Sequence, residues 1–420
     1  MKILLNAVGS HGDVLPLIAM GRELLRRGHR PHLFANGAFE TMAQEAGLPF
    51  SATGAADDLA RLLKDRDAAD PRKGMSLMAG VVMQGIRQTY PLLCREFEPG
   101  NTIAVGTSLG WATRLLSETH AAPVAVVHLA PSWFRSEHVA PSLGPLGHLE
   151  RAPRWMKRWL FAGMDKRFLD PLFTAPFNQF RAELGLAPVQ RSFHAWIHQA
   201  DAVLGMFPEW FAAPQPDWPS PVQLTGFPLY DHGHDSPLPD AVSAFLAAGE
   251  APVLVTAGTA TQSQSAFFDT SIRACQQSGQ RALLLTQDAA QLPATLPAGM
   301  AHFHYVPFQA LLPKVAALIH HGGIGTTSHA MRAGVPQLIR PMGFDQFDNA
   351  LRAKRLGVAQ QILPRRYGPD SAAAALRSLT GSDEVRARCA EVARRLSTGG
   401  GVEAACDAVL GLSPRPRPQA

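Results

Sequence analysis

The segment from Tyr305 to Asn349, YVPFQALLPKVAALIHHGGIGTTSHAMRAGVPQLIRPMGFDQFDN, does most to restrict what this chain can fold into. A short apolar run, 315–319, has the pattern of a buried strand. It ends in His320 and His321 and meets the glycine-rich turn Gly322-Gly323-Ile324-Gly325. Thr326 and Thr327 follow, and Ser328 to Arg332 has the composition of a helix. A strand, a turn of small residues and a helix, in that order, aim free backbone N–H groups and a helix dipole at an anion. Glycine lets a phosphate approach the backbone closely, hydroxyls add donors, and a histidine at the strand end can donate to a phosphate oxygen. A second apolar run, 335–339, leads to Asp345 and Gln346 in the next loop. A carboxylate beside an amide suits a ligand covered in hydroxyls, such as a sugar. The turn alone is weak evidence, because many α/β proteins carry glycine after a strand and this is not a G-x-G-x-x-G. Its weight comes from the residues around it.

Tyr305 lies sixteen residues before His321, and Asp345 twenty-four after it. With that spacing the segment resembles the donor-binding signature of the glycosyltransferase superfamily that includes plant, macrolide and sterol glycosyltransferases. The resemblance implies an α/β architecture, GT-B, in which two Rossmann-like domains with parallel sheets face each other across a cleft. It implies that Tyr305, with Val306 beside it, stacks on the nucleotide base. His321, with Gly323, Gly325, Thr326 and Thr327, would hold the diphosphate, and Asp345 and Gln346 the sugar. Tyr305 stands where tryptophan is usual, and Phe308 where glutamine is common.

The N-terminus has the same logic. A buried strand, 2–8, runs into Gly9-Ser10-His11-Gly12-Asp13-Val14, and a helix follows over about 15–27, closed by Gly28-His29. A second strand at 30–35 and a second helix at 40–46 complete a βαβ opening with parallel strands. Ligands sit at the C-terminal ends of such strands, which is where Gly9 to Asp13 lies. Transfer to a hydroxyl needs a group there to take its proton. The stretch resembles the first loop of the same superfamily. Some members use a histidine, matching His11, while sterol and glycopeptide glycosyltransferases, with G-S-x-G-D-V-x-P, use the aspartate, matching Asp13. Both are present, and Asp13 is favoured. The structural alternatives are a helix N-cap for Asp13 and a loop hydrogen bond for His11.

The chain of 420 residues is long enough for two domains. Expected boundaries are an acceptor-binding Rossmann-like domain over 1–215, a linker over 216–250 and a nucleotide-sugar-binding domain over 251–395. A last helix then crosses back, with a disordered tail, over 396–420. A net charge of +5 without dense Lys/Arg clusters suits an acidic small ligand and argues against nucleic acid. Cys94, Cys275, Cys389 and Cys406 show no metal or disulfide spacing, which fits a reducing cytoplasm. The N-terminus enters a strand at once, unlike a signal peptide, and no run of about 20 apolar residues spans a bilayer.

Several stretches carry two readings. The charged residues 57–73 read as a mobile loop with a helical piece. Met75 to Leu93 reads as a core helix or as the wall of an apolar acceptor pocket, since methionine adapts to flexible chains. Met78, Val82, Met83 and Trp133 are the acceptor-binding candidates. Further strands fall at 103–105 and 124–127. Arg151 to Asp170 interleaves cations with Trp155, Trp159 and Phe168, and reads as a helix packing on its domain or resting on an anionic membrane. Asp231-His232-Gly233-His234-Asp235 and the pair His302/His304 read as solvated polar residues rather than metal ligands. A strand at 252–256 leads to Gly258-Thr259, which resembles the superfamily's Gly-Ser/Thr turn at the donor phosphates.

A narrower likeness rests on Phe207-Pro-Glu-Trp-Phe-Ala212, Asp217-Trp-Pro219, Thr225-Gly-Phe-Pro-Leu229, His321-Gly-Gly-Ile-Gly325 and Asp345-Gln-Phe-Asp-Asn349. These are similar to the rhamnosyltransferase catalytic subunits of bacterial rhamnolipid synthesis. That resemblance implies inverting, metal-independent transfer of L-rhamnose from dTDP-L-rhamnose to a 3-(3-hydroxyalkanoyloxy)alkanoic acid. No cofactor is implied beyond the nucleotide-sugar co-substrate. A lipid acceptor also suits the apolar Met75–Leu93 stretch and the basic Trp-rich helix, and with that helix goes an expectation of peripheral contact with the inner membrane or with an acceptor-synthesising partner. The alternatives are a UDP-glucose-dependent transferase acting on a sterol, macrolide or other aglycone, a nucleotide-sugar 2-epimerase, and a non-catalytic sugar-nucleotide-binding homologue.

Overall fold

Every strand pairing among the described residues is parallel. The computed structural model describes residues 1–56, 71–142, 144, 149–230, 237–258 and 264–413. The first sheet comprises β1 (Lys2–Asn6), β2 (Arg30–Ala35), β3 (Phe50–Ala52), β4 (Thr102–Thr107), β5 (Val124–His128), β6 (Ala202–Gly205) and β7 (Val222–Leu224), in the order β3-β2-β1-β4-β5-β6-β7. The second comprises β8 (Val253–Thr256), β9 (Ala282–Leu285), β10 (Met300–Phe303), β11 (Ala317–His320), β12 (Gln337–Ile339) and β13 (Ala359–Gln361), in the order β10-β9-β8-β11-β12-β13. Parallel strands need crossovers, and helices covering both faces make the strands apolar throughout. That is why Ile3-Leu4-Leu5, Ile103-Ala104-Val105 and Val253-Leu254-Val255 are continuous apolar runs with no exposed face.

The chain divides into two compact units. The first is Met1–Pro141, His148–Pro228 and Gly400–Ala420, and the second is Ser142–Gly147 and Leu229–Gly399. The region 216–250, expected as a linker, instead contributes structure to both. Val222-Gln-Leu224 pairs with β6 as the seventh strand of the first sheet, and Asp240–Ala247 forms a helix of the second unit. The helix Gly401–Leu410 belongs with the first unit. Asp407 pairs with Arg27, and the Cys406 thiol donates to the Met20 carbonyl at 3.7 Å. Residues 57–70, the cluster Asp231 to Asp235 and the tail from 414 lie outside the described residues. Residues 71–73 begin a helix, Pro71–Glu96.

In the first unit one apolar cluster gathers around Trp111. Its ring lies 5.0 Å from Phe177 and 5.8 Å from Trp196, and its Nε1 donates to the Ser108 carbonyl at 3.1 Å. Val82 is buried in this cluster, with Met78 and Met83 packed half-buried against it, so this part of Met75–Leu93 takes the core reading. Trp111→Ala should cost about 3–5 kcal/mol in urea unfolding, by lost transfer energy plus a cavity. The exposed Trp159→Ala should stay within about 0.5 kcal/mol of the parent.

Candidate active site

In each sheet the strand order reverses once, between β1 and β4 in the first and between β8 and β11 in the second. Loops leaving neighbouring strands at such a point run in opposite directions and leave a crevice. The Gly9–Asp13 stretch leaves β1, Gly258 follows β8, and the turn from His321 follows β11. Of the residues singled out in the sequence, Gly9 to Asp13, Gly258 and His321 to Thr327 therefore lie at the switch points, each within its own unit, while Tyr305 follows β10 and Asp345 and Gln346 follow β12.

In the first unit the Val8 N–H donates to Thr107 Oγ1 at 3.1 Å, tying the loop to β4. Helix α1 spans His11–Arg26, so it starts four residues before the expected position. The cause is local: Ser10 is the N-cap, and its N–H and hydroxyl donate to Asp13 Oδ2 at 2.8 and 3.3 Å. Asp13 is thus the third residue of the helix and not its N-cap. Gly9 makes the arrangement possible. It has φ 139°, and a Cβ there would lie 2.1 Å from Asp13 Oδ2. Burial pushes the Asp13 carboxyl up from 3.8 to about 6, and the Ser10 hydrogen bonds work against that rise. At neutral pH the group is a carboxylate poised to accept a proton. His11 is half-buried in the same turn, edge-on to Phe39 at 4.9 Å.

In the second unit the two adjacent histidines have separate jobs. His320 accepts the Gly322 N–H at Nδ1 (3.1 Å), so its Nε2 donates to Gln337 Oε1 at 3.0 Å. It is fully buried, and burial pushes it down to about 3, which keeps it neutral. His321 is also buried and is pushed down to about 4, but its Nδ1 finds no partner among the described residues. Its ring is packed between two glycines. A Cβ on Gly258 (φ 76°) would lie 2.3 Å from His321 Cε1, and one on Gly323 would lie 2.5 Å from Nε2. Helix α2 (Ile324–Ala333) starts directly afterwards, with Thr327 N–H donating to the Gly323 carbonyl at 2.9 Å as its first bond. The amides of Ile324, Gly325 and Thr326 precede that bond and are the donors a helix start presents to an anion. Thr327 is fully buried and gives its hydroxyl to the Gly323 carbonyl (2.9 Å), so it closes the turn. Thr326 is half-buried beside it. Thr259 lies outside the described residues.

Asp345 and Gln346 sit at the start of helix α3 (Gln346–Arg355), with Asp345 as N-cap. Gln346 Oε1 accepts the N–H groups of Met342 and Gly343 at 2.8 and 3.1 Å, which leaves its amide nitrogen as the donor for a ligand. Asn349, which the sequence reading passed over, connects the two halves of this site. Its Nδ2 donates to Asp345 Oδ2 at 2.7 Å and to the Gly322 carbonyl at 3.1 Å. The Asp-Gln-x-x-Asn spacing, four residues along a helix, was the available signal. Asp348 was also missed. It accepts the Ser142 N–H at 2.9 Å and pairs with Arg352 at 2.6 Å. Tyr305 lies two residues past β10 with 46% of its surface exposed, whereas Val306 is core and offers a ligand only its backbone. Trp133 is half-buried, stacked on His128 at 5.7 Å and Phe193 at 5.0 Å.

Two measurements probe this electrostatics. Folding favours the protonated Asp13, because its pKa in the fold lies above the ordinary 3.8. Ionisation therefore costs nothing below pH 3.8 and roughly 3 kcal/mol above about pH 6. Asp13→Asn keeps an acceptor for the Ser10 N–H, so its melting temperature should match the parent near pH 4 and exceed it at pH 8. For His321, held near 4, a diphosphate beside the ring would raise the pKa. Calorimetry of dTDP binding at pH 6, in buffers of different ionisation enthalpy, should show proton uptake that is lost in His321→Ala.

Residues 280–400 match the family described as erythromycin biosynthesis protein CIII-like, C-terminal domain. Over 428 residues the chain is 28% identical to the O-mycaminosyltylonolide 6-deoxyallosyltransferase of Streptomyces fradiae, covering 97% of this chain and 96% of that protein. Its fold matches the solved glycotransferase of kitacinnamycin with a TM-score of 0.74, at 19% identity, covering 98% of this chain and 99% of the other. It also matches the spinosyn rhamnosyltransferase SpnG (TM-score 0.67, 18% identity, 98% and 100% covered). A third match is the glycosyltransferase VinC in complex with dTDP (TM-score 0.65, 17% identity, 98% of each chain covered). The chain thus has the two-domain, parallel-sheet fold of solved GT-B glycosyltransferases, and over nearly its whole length it is similar to a curated glycosyltransferase.

Proposed function

We propose that this chain is an inverting, metal-independent rhamnosyltransferase. It would move L-rhamnose from dTDP-L-rhamnose to the hydroxyl of a 3-(3-hydroxyalkanoyloxy)alkanoic acid. The observation that carries the reading is the division of labour between the units. One presents a carboxylate with a pKa raised to about 6, and the other a buried imidazole with an unpaired nitrogen beside a glycine turn and a helix start. Tyr305 stacks on thymine. His321, Thr326, Thr259 and the amides of the turn hold the diphosphate and take up its charge as it leaves. Asp345 and the Gln346 amide nitrogen hold the sugar hydroxyls. Asp13 takes the proton of the acceptor hydroxyl as its oxygen bonds to the anomeric carbon. The bond from that carbon to the diphosphate breaks in the same step, and dTDP leaves with the electron pair. His11 is the second candidate for the base. Support for the donor comes from a fold neighbour solved with dTDP and another that is a rhamnosyltransferase. Four free cysteines fit a cytoplasmic setting.

A second reading, transfer from UDP-glucose to a sterol, macrolide or other small apolar aglycone, is favoured on the acceptor side by the tylonolide-glycosylating relative. Mass spectrometry of products from dTDP-L-rhamnose with a hydroxyalkanoyloxy acid separates the two. The proposal expects the acid to gain one deoxyhexose; product from UDP-glucose alone would transfer the assignment to the second reading. Within the proposed reaction kcat/KM should fall about tenfold per pH unit below about 6, as Asp13 becomes protonated. Asp13→Asn should lose about 10²–10⁴ in rate together with that acid limb. Wild-type turnover by this variant would hand the role to His11.

A further inference from the structure

We propose that the outer face of the helix Arg154–Met164, with the π-helical stretch Asp165–Thr174 that continues it, docks on an anionic lipid bilayer. Of the eight large hydrophobic side chains exposed among the described residues, three fall between Trp155 and Phe168. Trp155 and Trp159 are 71% and 66% exposed and lie one helical turn apart, and Phe168 is 49% exposed. Arg154, Lys166 and Arg167 are exposed on the same stretch, and none is held in a salt bridge with a described residue. Arg158, by contrast, is fixed by Glu137 at 2.7 and 2.8 Å.

The opposite face explains why these rings remain outside. Phe161, Lys157 and Asp165 are buried. Lys157 Nζ donates to the His138 carbonyl at 3.2 Å, and Asp165 accepts from Arg135 at 2.6 Å and from Arg191 at 3.0 Å. The Arg135 guanidinium lies 5.1 Å over the Phe161 ring. The helix is therefore anchored by its buried polar and aromatic side, and docking would require no folding. Indole rings partition into the interfacial layer of a bilayer, and neighbouring Lys and Arg gain from anionic headgroups. The exposed Arg154, Lys166 and Arg167 on the same stretch are what favour anionic lipid over an uncharged partner. No helix among the described residues is long and apolar enough to cross a membrane, so attachment would be at the surface. The inference goes beyond the proposed reaction and holds whichever acceptor is used.

The test is co-sedimentation of the full chain with vesicles of phosphatidylcholine, and of phosphatidylcholine and phosphatidylglycerol in equal parts. The full chain is expected to pellet with the mixed vesicles only, and to be released by salt. Trp155→Ala/Trp159→Ala and Arg154→Glu/Arg167→Glu should each lower that partition about tenfold or more, with circular dichroism and melting temperature unchanged. Equal binding to neutral vesicles, no binding, or full binding by either double variant would overturn the proposal. So would a concentration-dependent dimer in sedimentation velocity that the tryptophan variant abolishes, since the face would then belong to a second copy. None of these readouts uses donor or acceptor, so failure here leaves the proposed reaction to its own test.

Discussion

A strand buried on both faces has no side chain left over for chemistry. The parallel sheets of this protein force every reactive group to the strand ends and into the loops that follow. The apolar runs that make the sheets stable also decide where the polar residues have to go. Val253-Leu254-Val255 delivers Gly258, Ala317-Leu318-Ile319 delivers His320 and His321, and Ile3-Leu4-Leu5 delivers Gly9 to Asp13. Because β8 and β11 are neighbours with helices departing on either side, the loops after them meet. Their meeting is visible as the His321 ring filling the space where Gly258 lacks a side chain.

The two candidate groups show opposite uses of burial. In both, desolvation disfavours the charged form, yet the outcomes differ because a carboxylate shifts upward and an imidazole downward. Asp13 becomes a stronger base while the Ser10 hydrogen bonds keep it oriented. His321 becomes a neutral ring whose Nδ1 has no partner among the described residues. Both positions cost the fold stability, as is common where structure is set aside for function. Asn349 limits that cost in the second unit, since one amide group secures both the Asp345 carboxylate and the Gly322 carbonyl.

The fold was legible because apolar runs and glycine turns are local signals. The strands β1, β2, β4, β5, β8 and β11 fall within a residue or two of the expected positions. What escaped depended on contacts between distant residues. The helix start at His11 was read four residues late, because Gly9, Ser10 and Asp13 act together as a turn that the periodicity of apolar residues does not report. β7 was read as linker because a three-residue edge strand, Val222-Gln-Leu224, is too short to show a pattern. The sequence places Thr327 and Gln346 among binding residues, and both are partly spent holding backbone. Choosing His321 over His320 came from spacing in a resemblance. The physical distinction, one imidazole satisfied by Gln337 and its neighbour unsatisfied, exists only in the folded chain.

In the proposed reaction the donor is gripped at His321 and the proton is taken at Asp13, two tasks assigned to two units. Titration calorimetry of dTDP with the parent, His321→Ala and Asp13→Ala separates those tasks most directly. The account predicts that His321→Ala loses about tenfold or more in affinity, while Asp13→Ala binds dTDP as the parent does. Parent-like affinity in His321→Ala, or loss of dTDP binding in Asp13→Ala, would contradict it.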